Sequence, residues 1–264
     1  MRAAVNPLTF VRAFGAPLRA LGFLWGHKRL LPLAAAPFFL NLLLFVLAFW
    51  LSYAYLGDWV RGLLPGGEGW WWAVLLYLLL VLVVLALLIL QIYLFAVVGR
   101  MVSEPFLDLL TRRTEALAQG MPPGAPWADG GLAREVLRAL RQSLMRLLIY
   151  LGVMLPLLLL NFIPGLGGVA YAVLAWLVTA HFLALEFMDY PLDRRGLSLK
   201  EKSRYVRGMG LGWLGFGSAV LAMGLVPVVN FALLPLAAVG GTLLYLERPL
   251  PPSDIPAPRN PALP

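Results

Sequence analysis

The sequence predicts an all-α integral membrane protein. Its parts are two long transmembrane helices, two helical hairpins broken by Pro and Gly that are expected to be re-entrant, and amphipathic helices on the cytoplasmic side. Three observations predict it. Hydrophobic residues make up 61% of the chain and charged residues only 13%, against roughly a quarter charged in an ordinary soluble domain. Four long stretches carry no Asp, Glu, Lys or Arg. The basic residues, finally, fall between those stretches in a pattern that favours one side of a bilayer.

The N-terminal segment contributes Arg2, Arg12, Arg19, Lys28 and Arg29. The first apolar run begins near Leu30 and is too long for a signal-peptide core, so no cleavable signal is expected and the first span itself directs insertion. Leu30–Gly57 holds 28 uncharged residues and Gly69–Gly99 holds 31, each more than the roughly 20 needed for one helical crossing. A link containing Pro65, Gly66 and Gly67 joins them. Trp70, Trp71 and Trp72 follow where an interfacial aromatic belt would sit, which makes the pair a hairpin.

Charge then returns. Glu104–Gln119 reads as a charged, helix-prone segment, and a breaker-rich link leads to Leu132–Arg146. In the latter, Arg134, Arg138 and Arg141 recur at helical spacing opposite Leu137, Leu140 and Leu144, as in a helix at the headgroup boundary. The third and fourth uncharged stretches, Leu147–Leu185 and Gly208–Leu246, hold 39 residues each. N-F-I-P-G-L-G-G at Asn161–Gly168 and V-P-V-V-N at Val226–Asn230 interrupt them. Arms of about 14 to 18 residues sit near or below the spanning minimum of roughly 17, so partial penetration is expected. Between these stretches, S-L-K-E at Ser198–Glu201 matches a capping box that opens a further helix. If both broken stretches return to the side they left, every basic residue except Arg61 shares one face, with both termini inside. Residues 1–248 then form a single polytopic membrane domain. Residues 249–264, with seven prolines in sixteen, form an extended or disordered tail.

A net charge of +8 suits an anionic lipid or an anionic substrate, and its placement beside apolar runs argues against nucleic acid. Cysteine is absent, which removes disulfides and thiolate chemistry. G-L-G-W-L-G at Gly210–Gly215 matches a dinucleotide fingerprint only in letters, because no strand precedes it and no acid follows at the required distance. Its glycines suit close helix packing instead, as do Gly208 and Gly212. His27 and His181 lie in different segments without metal-ligand partners. No nucleotide-binding loop, serine triad or acidic metal cluster is present, so no enzyme and no cofactor is expected. An enzyme using Glu186, Asp189 or His181 has no assembled constellation behind it.

Two local patterns carry candidate function. Glu104, Asp108 and Arg112 lie one turn apart after Arg100; this spacing suits a salt-bridged helix face, and its position beside a span suits a pore entrance. G-H-K-R at Gly26–Arg29 enters the first span. Two cations there orient the helix and bind lipid; with a preceding glycine and the following helix's positive end they also suit an oxyanion.

Several strings together resemble a known family. They are Gly26 with Lys28 and Arg29; the P-x-x-x-N step Pro37 to Asn41; P-F-L-D-L-L at Pro105–Leu110; and N-F-I-P-G-L-G from Asn161. F-M-D-Y-P-L-D at Phe187–Asp193 and V-P-V-V-N-F-A-L-L-P-L-A from Val226 complete the set. In order and spacing the chain resembles the CysZ-type sulfate permeases, which share a membrane domain with the eukaryotic etoposide-induced proteins. The resemblance implies sulfate uptake for assimilation and cysteine biosynthesis, through a channel-like pore of two spanning helices and two partly penetrating hairpins. It also implies a multi-pass protein of the cell inner membrane, in a homo-oligomer. It places anion binding at Gly26, Lys28 and Arg29. The broken backbone at Asn161, Pro164, Gly165 and Gly167, and at Pro227 and Asn230, is the expected pathway lining, since unwound chain at membrane depth must face protein or water. The alternative is a non-conducting scaffold whose basic helices bind anionic lipid.

Overall fold

The computed structural model describes residues 7–63, 69–121, 132–230 and 232–251. These residues are helical throughout, joined by turns, and fall into two compact units, one of residues 1–35 with 107–264 and one of residues 36–106. The break at Pro65–Gly67 and the tail beyond Pro251 lie outside the described residues.

Two short helices open the chain, α1 (Pro7–Phe14) and α2 (Ala16–Gly26), followed by a 3-10 turn at Lys28–Leu30 and then α3 (Leu31–Leu63). At 33 residues, α3 is about 50 Å long, ample for a bilayer core of roughly 30 Å. The segment Lys28–Leu51, the 3-10 turn together with the start of α3, is long and apolar enough to cross. The second uncharged stretch lies in α4 (Trp70–Ala118), a single helix of 49 residues.

The separate charged helix expected from Glu104 is therefore fused to the span before it. A rise in charge at Arg100 is not a backbone stop signal; α4 ends where Gly120 turns the chain, with Met121 N–H donating to Ala116 O at 2.8 Å. The boundary expected at Arg146 is absent for the same reason. There α5 (Leu132–Leu158) runs without interruption from the basic segment into the third apolar stretch.

The predicted break follows. A 3-10 turn at Leu159–Phe162 leads through Pro164 and Gly165, the glycine at φ +82°, into α6 (Gly167–Asp193). The 27 residues of α6 make it about 40 Å long, so it too can cross. Its helix continues past the last uncharged residue, Leu185, through Glu186 to Asp193, and shortness does not force this arm to stop midway. The fourth stretch keeps its short arms: α8 (Gly212–Leu225) and α10 (Leu233–Glu247), of 14 and 15 residues, flank α9 (Pro227–Asn230). Between the hairpins, α7 (Leu199–Gly208) begins at Ser198, whose N–H and Oγ both donate to Glu201 Oε2, at 2.7 and 2.6 Å. A 100° bend separates α7 from α8.

In the first unit α8 packs on α6 and on α1, and α10 packs on α2 and α6. Backbone approach is close because glycine allows it. A methyl group added at Gly217 would fall on the Ala180 carbonyl, and one at Gly215 on the Phe10 backbone. Gly208, expected to share this role, faces open space. The core these helices enclose includes Phe216, Val220, Met188, Leu192, Val239 and Tyr245, all nearly inaccessible. By contrast α3, α5 and the hairpin tips present large apolar side chains outward, with Phe162 at 82% and Leu225 at 78% exposure. Such surface is stable only against lipid or protein.

Candidate functional site

The start of α3 is built in three steps. First, α2 ends at Gly26: His27 N–H donates back to the Phe23 and Leu24 carbonyls, and His27 Nδ1 donates to Phe23 O at 2.9 Å while its ring stacks on Phe23 at 4.3 Å. Second, Leu30 N–H donates to His27 O at 2.8 Å and the Leu30 side chain is buried in the core, fixing the turn between two anchors. Third, Lys28 and Arg29 lie between the anchors, both exposed. Their own amides sit in the first turn, where no intrahelical acceptor exists. Among the described residues neither side chain pairs with a carboxylate. Gly26 has a different place from the one expected. Its amide belongs to the last turn of α2, and the open amides are those of the basic pair.

The four residues expected at a pore entrance divide. Arg100 lies in α4 with its side chain outside the described set, and Glu104 is half-buried on the same helix. Asp108 and Arg112 form the i,i+4 pair that their spacing suggests, Nε to Oδ2 at 2.7 Å. The network around that pair was not legible. Arg194 donates to Asp108 Oδ1 at 3.1 Å, to Thr111 Oγ1 at 3.1 Å and to Glu115 Oε2 at 2.7 Å, and Arg195 pairs with Glu115 Oε1 at 2.5 Å. Lys202, only 3% exposed, bridges Asp189 and Asp193 at 2.6 and 2.7 Å. Arg195 also lies 4.2 Å over the Tyr245 ring. Four acids (108, 115, 189, 193) meet four bases (112, 194, 195, 202), so the formal charges cancel. This is a clasp joining α4, α6, α7 and α10; it offers no net attraction to an anion.

Burial pushes the Glu115 carboxyl upward, but hydrogen bonds from Arg195 and Arg194 and their charges outweigh it and hold its pKa below the ordinary 4.5. Burial, reinforced by Tyr245, pushes the Tyr205 phenol well above its usual range, so it remains a neutral donor to Arg248 O at 2.7 Å.

At the hairpin breaks, Asn161 Nδ2 donates to Leu158 O at 3.3 Å on the exposed tip, Pro164 and Gly165 form the turn, and Gly167 is buried where α6 begins. Pro227 opens α9 and Asn230 closes it, with Asn230 N–H donating to Val226 O at 2.9 Å. No hydrogen bond or ion pair among the described residues links Lys28 or Arg29 to either break.

A further polar contact joins α3 to α4 within the second unit. Asn41 Nδ2 donates to Ser103 Oγ at 3.2 Å, and Ser103 Oγ donates to Gly99 O at 2.6 Å. A side chain at Gly99 would fall on the Asn41 amide. The P-x-x-x-N step signalled this asparagine; its partner four residues after Gly99 carried no signal of its own.

A family model described as "Sulfate transporter CysZ/Etoposide-induced protein 2.4" matches residues 16–235, a span that includes the basic turn, both breaks and the ion-pair network. The chain is also 32% identical over 215 residues to a protein named sulfate transporter CysZ from Pectobacterium atrosepticum, covering 80% of this chain and 76% of that protein. These matches over most of the length, with helices long and apolar enough to cross a membrane, place the chain in the sulfate transporter CysZ/etoposide-induced protein family of membrane transporters.

Proposed function

We propose that the chain is a channel-like permease for sulfate or a closely related oxyanion, and that Lys28 and Arg29 capture the anion at the foot of α3. One observation carries this reading: two adjacent cations, exposed and unpaired among the described residues, stand beside free helix-start amides at the entry to an apolar span. Like charges side by side repel each other, and a dianion between them relieves that repulsion while accepting hydrogen bonds from both. The family name and the relative's name support sulfate as the ion.

In this reading the broken backbone at Asn161–Gly167 and Pro227–Asn230 lines the pathway. Arg100, Glu104, Asp108 and Arg112 mark a polar approach along α4, the last two held by the charge-neutral clasp. A homo-oligomer in the cell inner membrane completes the proposal.

Charge-assisted hydrogen bonds contribute about 1.5–3 kcal/mol each. Loss of two therefore weakens sulfate binding by roughly a hundredfold or more, at 1.4 kcal/mol per factor of ten. The test is radiolabelled sulfate flux into proteoliposomes. The native chain gives saturable uptake, and Lys28→Ala with Arg29→Ala abolishes it at subsaturating sulfate. Both side chains are exposed, so the variant is expected to fold. Equal flux in the two proteins refutes the site; no flux in either refutes the permease and favours a scaffold.

A further inference from the structure

Away from the basic turn, a cavity of about 360 Å³ lies between α5, α6 and α7. That is far more than the roughly 10–15 Å³ needed to admit one water and within the range of small-molecule sites. Its wall on α7 is cationic. Lys200, Arg204 and Arg207 recur at i, i+4 and i+7 and all line the cavity, while Lys202 and Val206 turn the opposite face of α7 into the protein. None of the lining residues among those described is acidic. Among the described residues no carboxylate pairs with these three cations; Arg207 Nε donates only to Ser203 O, at 3.3 Å.

The other walls are different. Ser203 Oγ and His181 Nε2 hydrogen-bond each other at 3.4 Å; with Nε2–H donating to Oγ, the Ser203 hydroxyl is left to donate to an oxygen. Phe182, Leu185 and Leu199, with Ile149, make the rest of the lining, here called the floor, apolar. The cavity edge at Ile149 runs one turn along α5 to Leu144, Met145 and Leu148, which are 57%, 56% and 60% exposed.

We propose that this cavity binds the phosphodiester headgroup of an anionic phospholipid, with Lys200, Arg204 and Arg207 on the phosphate and an acyl chain following the outward apolar face of α5. A bare, hydrated oxyanion would satisfy the cations but leave the apolar floor unused. A zwitterionic lipid would use the floor but bring its own cation against three others. Only an amphiphile with net negative charge fits both halves, as basic pockets beside membrane helices do generally.

The test uses the detergent-purified full chain, titrated with short-chain phosphatidylglycerol, short-chain phosphatidylcholine, inorganic phosphate and sodium sulfate. Phosphatidylglycerol is expected to bind at least about tenfold more tightly than phosphatidylcholine. Lys200→Ala with Arg204→Ala and Arg207→Ala is expected to abolish that difference, whereas Lys28→Ala with Arg29→Ala leaves it intact. Phe182→Ala, which keeps every charge, weakens phosphatidylglycerol but changes neither inorganic ion. Equal binding of the two lipids, or no response to either the triple charge variant or Arg204→Glu alone, overturns the proposal. Saturation of the same site by phosphate or sulfate alone, with full displacement of the lipid, overturns it in favour of a free-oxyanion site.

Discussion

Lys202 is a buried cation that persists because Asp189 and Asp193 both lie within 2.7 Å of its ammonium. The same reasoning governs Glu115, which is 14% exposed between two guanidinium groups. Glu115→Gln leaves Arg194 and Arg195 half-buried without their shared counter-ion. With allowance for partial exposure the loss is about 2–3 kcal/mol, read as a lower thermal midpoint in detergent. The pH dependence has a definite sign. The folded pKa lies below 4.5, so the contribution of Glu115 is complete above that value and lost as pH falls through the lower folded pKa. The native midpoint drops on acidification below about pH 4.5, and the Gln variant drops less.

A second prediction at this scale concerns Asn41 and Gly99. Asn41→Ala removes one interhelical hydrogen bond, costing roughly 0.6–1.7 kcal/mol, and Gly99→Ala forces the Asn41 amide to move. Combined, the new methyl occupies space the amide has vacated. The double variant is expected to lose less stability than the two singles added together; strict additivity in thermal denaturation would contradict the contact.

Helices α6 and α8 approach through glycine, and this sets the consequences of filling that space. Gly217→Ala drives a methyl into the Ala180 carbonyl, a backbone atom that cannot rotate away, with an expected cost of about 1–3 kcal/mol. Gly22→Ala in α2 meets nothing within 4 Å and is expected to stabilise by about 0.4–1 kcal/mol. Opposite shifts of the thermal midpoint check the pair. The breaks at Pro164–Gly165 and Val226–Asn230, the start of α7 at Ser198 and the close approach at Gly215 were legible because proline, glycine and capping pairs act on their immediate backbone. The joins at Arg100 and Arg146 were misread because a change of charge leaves helical hydrogen bonding untouched. The clasp escaped notice for a different reason: Arg194 and Arg195 meet Glu115 across some eighty positions, and no local pattern announces such a pairing. The basic pair of the candidate site was visible as a string, but its anchors, His27 on Phe23 and Leu30 in the core, emerged only with the fold.

Among the described residues the basic side chains named so far divide by partner. Arg12 and Arg19 pair with Glu247 and hold the N-terminal helices to α10; four more are neutralised in the clasp. In the proposed reading Lys28 and Arg29 receive an anion, and Lys200, Arg204 and Arg207, the α7 cations outside the clasp, receive a lipid. This division requires that both interrupted apolar stretches return to the face they left, since otherwise the charges would be split between two sides of the bilayer. The native sequence contains no cysteine, so a single introduced thiol is the only target for an impermeant maleimide. Gln119→Cys, Lys200→Cys and Arg248→Cys flank the third and fourth stretches at exposed positions. Labelled separately in sealed vesicles, all three are predicted to show the same accessibility, blocked or open together. A reversal between Gln119 and Lys200, or between Lys200 and Arg248, would mean that a stretch crosses once, and the account would fail.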